Sequence, residues 1–169
     1  MNQKIARIGS IIVVITVALF ALFMLVSDFG SYIVCIFLAL GYENVTVCCT
    51  IENQRNADKK LSIFRSLPIK HKCITAQPLI ERVNLEPYLD GVELVVVGGE
   101  SGKDGRPLDY DWVLDIWEQC IRKQVNFEFR QCGTHFIKDG RQYKLQTRDL
   151  CRQARLAGIN YKCESPQRV

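Results

Sequence analysis

The sequence predicts an α/β fold, either half of a (β/α) barrel or a small parallel sheet with crossover helices, preceded by one or two hydrophobic helices. From residue 45 to residue 129, short apolar runs alternate with segments of helical periodicity, and this alternation is typical of a parallel sheet. The residues before position 45 contain long continuous apolar runs, which fit neither a short strand nor an amphipathic helix. We therefore expect three regions: a hydrophobic segment at 1–40, a βαβαβαβ domain at 41–133 and a basic hairpin-and-helix tail at 134–169.

The hydrophobic segment has the features of a membrane anchor. Residues 8–26 contain no charged side chain, and a run of this length approaches the roughly 20 residues that cross a bilayer. Lys4 and Arg7 precede the run and no cleavage site follows it, which favours an uncleaved anchor over a signal peptide. A second apolar run, 32–42, is short for a span, so one span and a two-span hairpin are both open. A buried helix of a soluble, cytoplasmic protein is the alternative.

Charges and cysteines favour the two-span hairpin. This topology keeps Lys4, Arg7 and the cations at positions 55, 59 and 60 on the cytoplasmic side, in agreement with the positive-inside rule. The eight cysteines lack the compact spacing of a disulfide scaffold and are expected to be reduced thiols. The sequence therefore predicts a membrane protein that is attached through residues 8–42 and has its C-terminal domain on the cytoplasmic side.

The 41–133 domain is predicted to contain four strands. The elements, in order, are a strand at 45–51, a helix at 53–67, strands at 72–76 and 94–97 separated by a short helical turn at 85–89, a helix capped by Asp111, and a strand at 125–129. Asp111 is the expected N-cap because its carboxylate can accept hydrogen bonds from the free N–H groups of the first turn. Since four strands cannot close a barrel, the two outer strands are expected to have unpaired edges that promote self-association, unless the N-terminal apolar segment, a second copy or another chain covers them.

The basic tail is predicted to form a β-hairpin at 136–145 on an Asp139-Gly140 turn, followed by a helix at 147–157 with Gly158 as its C-cap. Its cations are Lys138, Arg141, Lys144, Arg148, Arg152 and Arg155. Such a patch is suited to the phosphates of a nucleic acid. A solvated basic face and contact with anionic lipid are the alternatives.

Polar side chains follow each predicted strand of the domain. They are Glu52 and Asn53 after the first strand, Gln77 after the second, Glu100 and Ser101 after the third, and Arg130 and Gln131 after the fourth. The carboxyl ends of parallel strands meet at one edge of the sheet, where α/β folds usually bind ligands. These side chains are therefore expected to converge on a candidate site, with an ordinary solvated loop edge as the alternative.

The candidate catalytic residues in this group are Glu52, Glu100, Arg130 and Gln131. The two glutamates are suited to acid–base chemistry as a pair of carboxylates. Alternatively, they form structural ion pairs with Arg106 or Arg130, which perturb carboxylates as readily as active sites do.

The glycine-rich segment after the third strand is the candidate cofactor-binding element. Backbone amides around Gly98, Gly99, Ser101 and Gly102 would approach a phosphate or carboxylate of a cofactor, and a tight turn is the alternative. No histidine lies near Ser101 in the sequence, which argues against a serine nucleophile. No metal site is predicted.

Several ordered motifs resemble those of one family. They are Tyr-Glu-Asn-Val-Thr-Val-Cys-Cys-Thr-Ile-Glu-Asn-Gln at 42–54, Leu-Pro-Ile-Lys-His-Lys at 67–72, Pro-Leu-Ile-Glu at 78–81 and Val-Val-Gly-Gly-Glu-Ser-Gly at 96–102, followed by Arg106-Pro107, Asp111-Trp112-Val113 and Phe129-Arg130-Gln131. Residues 41–162 thereby resemble the C-terminal half of the phage Gp-thirty-seven/Gp-sixty-eight type, a family of unknown function. The resemblance implies a partial TIM barrel related to radical-SAM enzymes.

The departures from this family bear on catalysis. The resemblance implies an iron–sulfur cluster and S-adenosylmethionine only for full-length members, whose N-terminal half carries a cysteine cluster that this sequence lacks. Gln77 replaces the usual glutamate and Arg130 the usual lysine, and neither can take up a proton as the family's residue would. We therefore expect a truncated or hybrid phage-type protein without independent catalysis or a cofactor of its own, joined to an unrelated membrane-like N-terminus. A small enzyme or cofactor-binding module at the strand ends, and a nucleic-acid-binding accessory, are the alternatives.

Overall fold

The computed structural model describes residues 45–164. Contacts divide the chain into two units, Met1–Val45 and Thr46–Val169. The elements of the second unit are β1 (Thr46–Ile51), α1 (Gln54–Ser66), β2 (His71–Ala76), a 3₁₀ turn (Glu86–Tyr88), β3 (Leu94–Gly98), β4 (Leu108–Asp109), α2 (Tyr110–Arg122), β5 (Asn126–Gln131), β6 (His135–Lys138), β7 (Arg141–Lys144), a second 3₁₀ turn (Thr147–Asp149) and α3 (Leu150–Leu156).

The predicted membrane segments at 8–26 and 32–42, and the predicted domain boundary near residue 41, lie outside the described residues. Among residues 45–164, no helix is both long enough and apolar enough to cross a membrane.

Four strands form a parallel sheet in the order β1-β2-β3-β5. The order follows the chain without a reversal, and β4 belongs to a different sheet. Helix α1 connects β1 to β2, and α2 precedes β5, whereas a loop with one 3₁₀ turn connects β2 to β3. The prediction of an α/β domain with a parallel sheet and crossover helices is confirmed.

The two faces of this sheet differ in burial. On one face, Ile51, Ile74, Val95 and Phe127 are at most 2% exposed, and α1 packs on β1 while α2 packs on β5. The other face carries the register row Thr50, Thr75, Val96 and Glu128 and the row Cys48, Cys73, Leu94 and Asn126. We call this second face the open face, because its residues on β1 are exposed, although Cys73 and Val96 on the central strands are buried.

Hydrogen bonds at the ends of α2 show that two element boundaries differ from the predicted ones. The N-cap of α2 is Asp109, whose side chain accepts a hydrogen bond from the Asp111 N–H at 3.0 Å, so the prediction of Asp111 as the cap is wrong by two residues. The Val125 N–H donates to the Cys120 carbonyl at 2.9 Å and completes the end of α2. The fourth parallel strand therefore begins at Asn126 and continues to Gln131, beyond the predicted end at Phe129.

Strands β4, β6 and β7 form a second sheet, in which β4 is parallel to β6 and β7 is antiparallel to it. The hairpin turns at Asp139 and Gly140, with φ of +52° and +69°, as expected for an Asp-Gly turn. Gly158 follows α3 with a φ of +66°, as a C-cap glycine does. The hairpin is confirmed. The C-cap residue is Ala157, and Gly158 is the left-handed residue directly after it. The predicted helix begins as a 3₁₀ turn, and β4 is too short to be predicted from periodicity.

The outer edge of β5 is covered by the segment after α3. Phe127 and Tyr161 exchange two backbone hydrogen bonds of 2.8 and 2.9 Å, and the Asn160 side chain accepts a hydrogen bond from the Phe129 N–H at 2.9 Å. The expectation that this edge is unpaired is wrong, because the chain returns alongside β5 after α3. Self-association through sheet edges stays a prediction.

Candidate functional site

A cleft opens at the carboxyl ends of three adjacent strands, and we call it the strand-end cleft. Its volume is about 340 Å³, within the range of roughly 300 to 1,000 Å³ that small-molecule sites occupy. It is lined by Thr75, Gln77, Pro78, Gly99, Glu100, Ser101 and Gln131. Four of the predicted strand-end residues therefore lie together, and most of the lining consists of amide, hydroxyl and carboxylate groups.

Glu100 is the charged group of this cleft. Its Oε2 accepts two hydrogen bonds from Arg106, one from Nε at 2.7 Å and one from the backbone N–H at 3.0 Å. These bonds hold the pKa of Glu100 below its ordinary value and raise the pKa of Arg106. The carboxylate therefore stays ionised at neutral pH, which suits it to bind a cation or a hydrogen-bond donor and not to donate a proton.

The glycines before Glu100 allow close approach of neighbouring loops. A Cβ on Gly99 would lie 2.5 Å from the Cys132 carbonyl oxygen, and a Cβ on Gly98 would lie 2.9 Å from the Gln77 side chain. Packing therefore explains both glycines. Gly102 has open space around it but a φ of +125°, which side chains rarely tolerate. Cofactor binding by Gly98, Gly99, Ser101 and Gly102 stays a prediction.

A β-bulge separates the two candidate residues at the end of β5. Val97 pairs with Phe129, but the next residue, Gly98, pairs with Gln131, so Arg130 is the extra residue of the bulge. Gln131 thereby stands opposite Gly98, and its Nε2 donates a hydrogen bond to the Gly99 carbonyl at 2.7 Å.

Arg130 itself is not part of the lining of the strand-end cleft. Its side chain is 52% exposed, and its Nε lies 3.3 Å from a carboxylate oxygen of Glu128 on the same strand. The structure thus brings Gln131 to the cleft and pairs Arg130 with a neighbouring carboxylate.

Glu52 also lies outside the lining, although it follows β1 as predicted. Its Oε2 accepts a hydrogen bond from Asn56 Nδ2 at 2.6 Å and lies 3.7 Å from Lys60 Nζ. Glu52 is therefore held by side chains of α1, whereas Glu100 is held by Arg106. The two glutamates do not share a hydrogen-bonded site, and only Glu100 forms one of the ion pairs considered as the alternative.

Ser101 is exposed, and both histidines are engaged elsewhere. His71 Nδ1 lies 2.8 Å from the Glu93 carboxylate, and His135 Nε2 lies 2.9 Å from the Lys103 carbonyl oxygen. This arrangement provides no histidine base for Ser101. In the described part of the chain, no three His, Cys, Asp or Glu side chains are grouped closely enough to hold a metal ion.

Thr134 is a supporting residue that the sequence analysis missed. It is 6% exposed, its Oγ1 accepts a hydrogen bond from the Gly102 N–H at 2.9 Å, and its own N–H donates to the Glu100 carbonyl at 2.9 Å. These two hydrogen bonds connect the loop after β3 to the loop after β5. A single threonine after a glycine is too common a pattern to identify this role.

The sequence matches the family model described as a protein of unknown function, DUF5131, over residues 11–161. This match begins within the hydrophobic segment and crosses the junction near residue 41, so it gives no support to an unrelated, fused N-terminus. No curated protein and no solved structure matches the chain. Since the match covers most of the sequence, the chain belongs to the DUF5131 family of proteins of unknown function.

Proposed function

We propose that the domain at residues 45–164 is a ligand-binding module that holds a small polar molecule in the strand-end cleft and does not catalyse a reaction by itself. The observation that carries this proposal is the convergence of Gln77, Glu100, Ser101 and Gln131 around a cavity of about 340 Å³. Their amide and hydroxyl groups can donate and accept hydrogen bonds, and the carboxylate adds one negative charge.

The state of Glu100 favours binding over catalysis. A general acid or base works best when its pKa lies near the working pH, whereas Arg106 moves the pKa of Glu100 downward from 4.5. The remaining polar side chains of the lining are amides and hydroxyls, which do not titrate near neutral pH. The cleft therefore lacks a group suited to proton transfer among its lining residues.

We further propose that this domain is half of a (β/α) barrel of the radical-SAM-related phage type. Four parallel strands in chain order support this relation, as do the polar groups at their carboxyl ends, because both are features of such barrels. The open face would then correspond to the barrel interior.

An iron–sulfur cluster is not part of this proposal, because such a cluster needs several thiolates together and no group of three metal-ligating side chains occurs among residues 45–164. The relation implies S-adenosylmethionine only for full-length members, so binding by this chain belongs to the cofactor-binding alternative, and we choose this molecule as the probe of the cleft. Its amino group and its sulfonium ion are positively charged, and either can approach the Glu100 carboxylate, which also pairs with Arg106.

Isothermal titration calorimetry of the full chain with S-adenosylmethionine tests the proposal. We expect binding, and we expect Glu100→Gln to weaken it about tenfold, because a hydrogen bond to a charged group contributes roughly 1.5 to 3 kcal/mol. Glu128→Gln is the matched control, since this carboxylate lies on β5 outside the lining of the cleft. An equal loss in both variants, or no heat of binding in the wild type, would contradict the proposal.

We also propose attachment to the cytoplasmic side of a membrane through residues 8–42. The support is the charge-free composition of residues 8–26, with Lys4 and Arg7 before them. Retention of the full chain in carbonate-washed membranes, with a C-terminus protected from protease in intact spheroplasts, is the expected result. Recovery of the chain as a soluble protein would favour the cytoplasmic alternative.

A further inference from the structure

A second cavity lies beside the β6–β7 hairpin and α3, and we call it the aromatic cleft. Its volume is about 370 Å³, and its lining includes Tyr110, Phe129, Phe136, Lys138, Tyr143 and Leu156. It shares no lining residue with the strand-end cleft. A ligand of this cavity would therefore go beyond the proposed function.

Aromatic rings form the floor and rim of this cleft. Tyr110, Phe129 and Phe136 pack against each other with ring centroids 5.8 to 6.4 Å apart. Tyr143 and Leu156, by contrast, are 44% and 70% exposed. The floor is thus a cluster of packed aromatic rings, while the rim offers an aromatic ring to a ligand from solvent.

The register of the hairpin places cations beside these rings. Phe136 pairs with Tyr143, and Lys138 pairs with Arg141. Side chains of opposed residues, and of residues two apart, project from the same face of a hairpin. One face therefore carries two aromatic rings and two cations, and Lys138 Nζ lies 5.2 Å from the Tyr110 ring centroid.

The charge around the aromatic cleft is positive. Residues 138–155 contain six cations and two carboxylates, Asp139 and Asp149. Asp149 lies 3.8 Å from Arg148 and 3.9 Å from Arg152. No carboxylate of the described residues forms an ion pair with Lys138 or Arg141, so their charges are available to an anion.

We infer that the aromatic cleft binds single-stranded nucleic acid, with a base against Tyr143 and phosphates on Lys138 and Arg141. Every base has a π-face that stacks on aromatic rings, and single-strand-binding proteins combine such rings with cations along the backbone. A duplex keeps its bases stacked within the helix, so it offers phosphates but no base to the cleft. A merely solvated basic face would not require rings and cations on the same side of the hairpin.

Fluorescence anisotropy of the full chain with a labelled oligothymidylate tests this inference. We expect the single strand to bind more tightly than its duplex with oligoadenylate. Tyr143→Ala should weaken binding of the single strand about tenfold through loss of stacking, whereas Tyr143→Phe, which keeps the ring, should bind as the wild type does. Because Tyr143 is 44% exposed, neither change removes a core side chain.

A charge variant distinguishes phosphate contacts at the aromatic cleft from general attraction of the nucleic acid to positive charge. In Lys138→Gln/Arg141→Gln, the slope of log K against log salt concentration should fall by about 1.4, since each phosphate contact with a single strand contributes about 0.7. Arg55→Gln/Lys59→Gln removes two exposed cations of α1 and should leave the slope unchanged. Absence of binding, equal affinity for the duplex, wild-type binding by Tyr143→Ala, or equal slopes for the two charge variants would overturn the inference.

Discussion

The parallel-sheet region (46–131) and the hairpin region (134–157) place the same residue types in opposite environments, buried in the first and exposed in the second. In the sheet region, Gly99 lies against a neighbouring backbone, whereas Gly140 in the hairpin has no heavy atom within 4 Å of the position of a Cβ. Gln119 is 6% exposed and Gln142 is exposed. The two glycines, and likewise the two glutamines, have the same side chain and differ only in the atoms that surround them.

This contrast indicates a division of roles within the unit. Buried side chains and close backbone contacts of the sheet region stabilise the fold and fix the strand-end cleft. In the hairpin region, exposed cations and Tyr143 contribute little to the core and are available to a ligand. Substitutions of matched residues in the two regions should therefore have unequal effects.

The largest difference is expected between Cys120 and Cys151. Burial raises the pKa of Cys120 from its ordinary value of 9.0 to about 12, which lowers its thiolate population about 1,000-fold, whereas Cys151 is exposed. Iodoacetamide at mildly alkaline pH should therefore alkylate the exposed Cys151 much faster than Cys120, which is 0% exposed and also shielded from the reagent, as measured by mass spectrometry of peptides over time. Urea should abolish the difference. Equal rates in the folded protein would show that the Cys120 site is open to solvent.

The matched glycines come next. Gly99→Ala should lower the free energy of unfolding by about 3 kcal/mol, the upper end of the usual cost of overpacking, because the new Cβ would lie 2.5 Å from the Cys132 carbonyl oxygen. Gly140→Ala should cost only about 1 kcal/mol, for the positive φ of that residue. Urea unfolding followed by tryptophan fluorescence measures both values. A larger loss for Gly140→Ala would reverse the comparison.

A smaller difference is expected for the matched glutamines. Gln119 Oε1 accepts hydrogen bonds from the Leu85 and Glu86 N–H groups at 2.6 and 3.0 Å, and its Nε2 donates to the Val83 carbonyl at 3.1 Å. Gln119→Leu leaves these backbone groups without their partner and should cost about 2 kcal/mol. Gln142→Leu should change stability by less than about 0.5 kcal/mol. If thermal melts showed equal losses, the Gln119 contacts would not stabilise the loop before the 3₁₀ turn.

The sequence predicts the parallel sheet well because strands such as Leu94–Gly98 are short apolar runs bounded by turn residues. The ends of elements depend on single hydrogen bonds, such as the one from the Asp111 N–H to Asp109. Aspartates at both positions fit a cap, so the pattern alone does not distinguish them.

A cleft lies at the edge of the sheet where the sequence predicts the candidate site, but Glu52 and Arg130 are not among its lining residues. Convergence of parallel strand ends is a consequence of topology, so Gln77, Glu100 and Gln131 could be expected there. The bulge at Arg130 changes which side chain faces the cleft, and no periodicity indicates a bulge. The aromatic cleft joins Tyr110 to Tyr143, which lie in different elements and share no sequence pattern.

The smallest effect is expected at the ion pairs of the two regions. The pKa of Glu100 is lowered in the folded protein by Arg106, from an ordinary value of 4.5. The stabilisation by this pair is therefore present above that value and is lost as the pH falls through the folded pKa. Arg106→Gln should raise the pKa of Glu100, and its stability should differ from that of the wild type at neutral pH but not in strong acid.

Arg152→Gln is the control from the hairpin region, where Arg152 Nε lies 3.9 Å from the Asp149 carboxylate. An NMR titration of the Glu100 side-chain carboxyl should be unchanged in this variant and shifted to higher pH in Arg106→Gln. If Glu100 titrated in Arg106→Gln as it does in the wild type, groups other than Arg106 would set the pKa of this carboxyl. Arg106 would then not be the residue that lowers the pKa of Glu100.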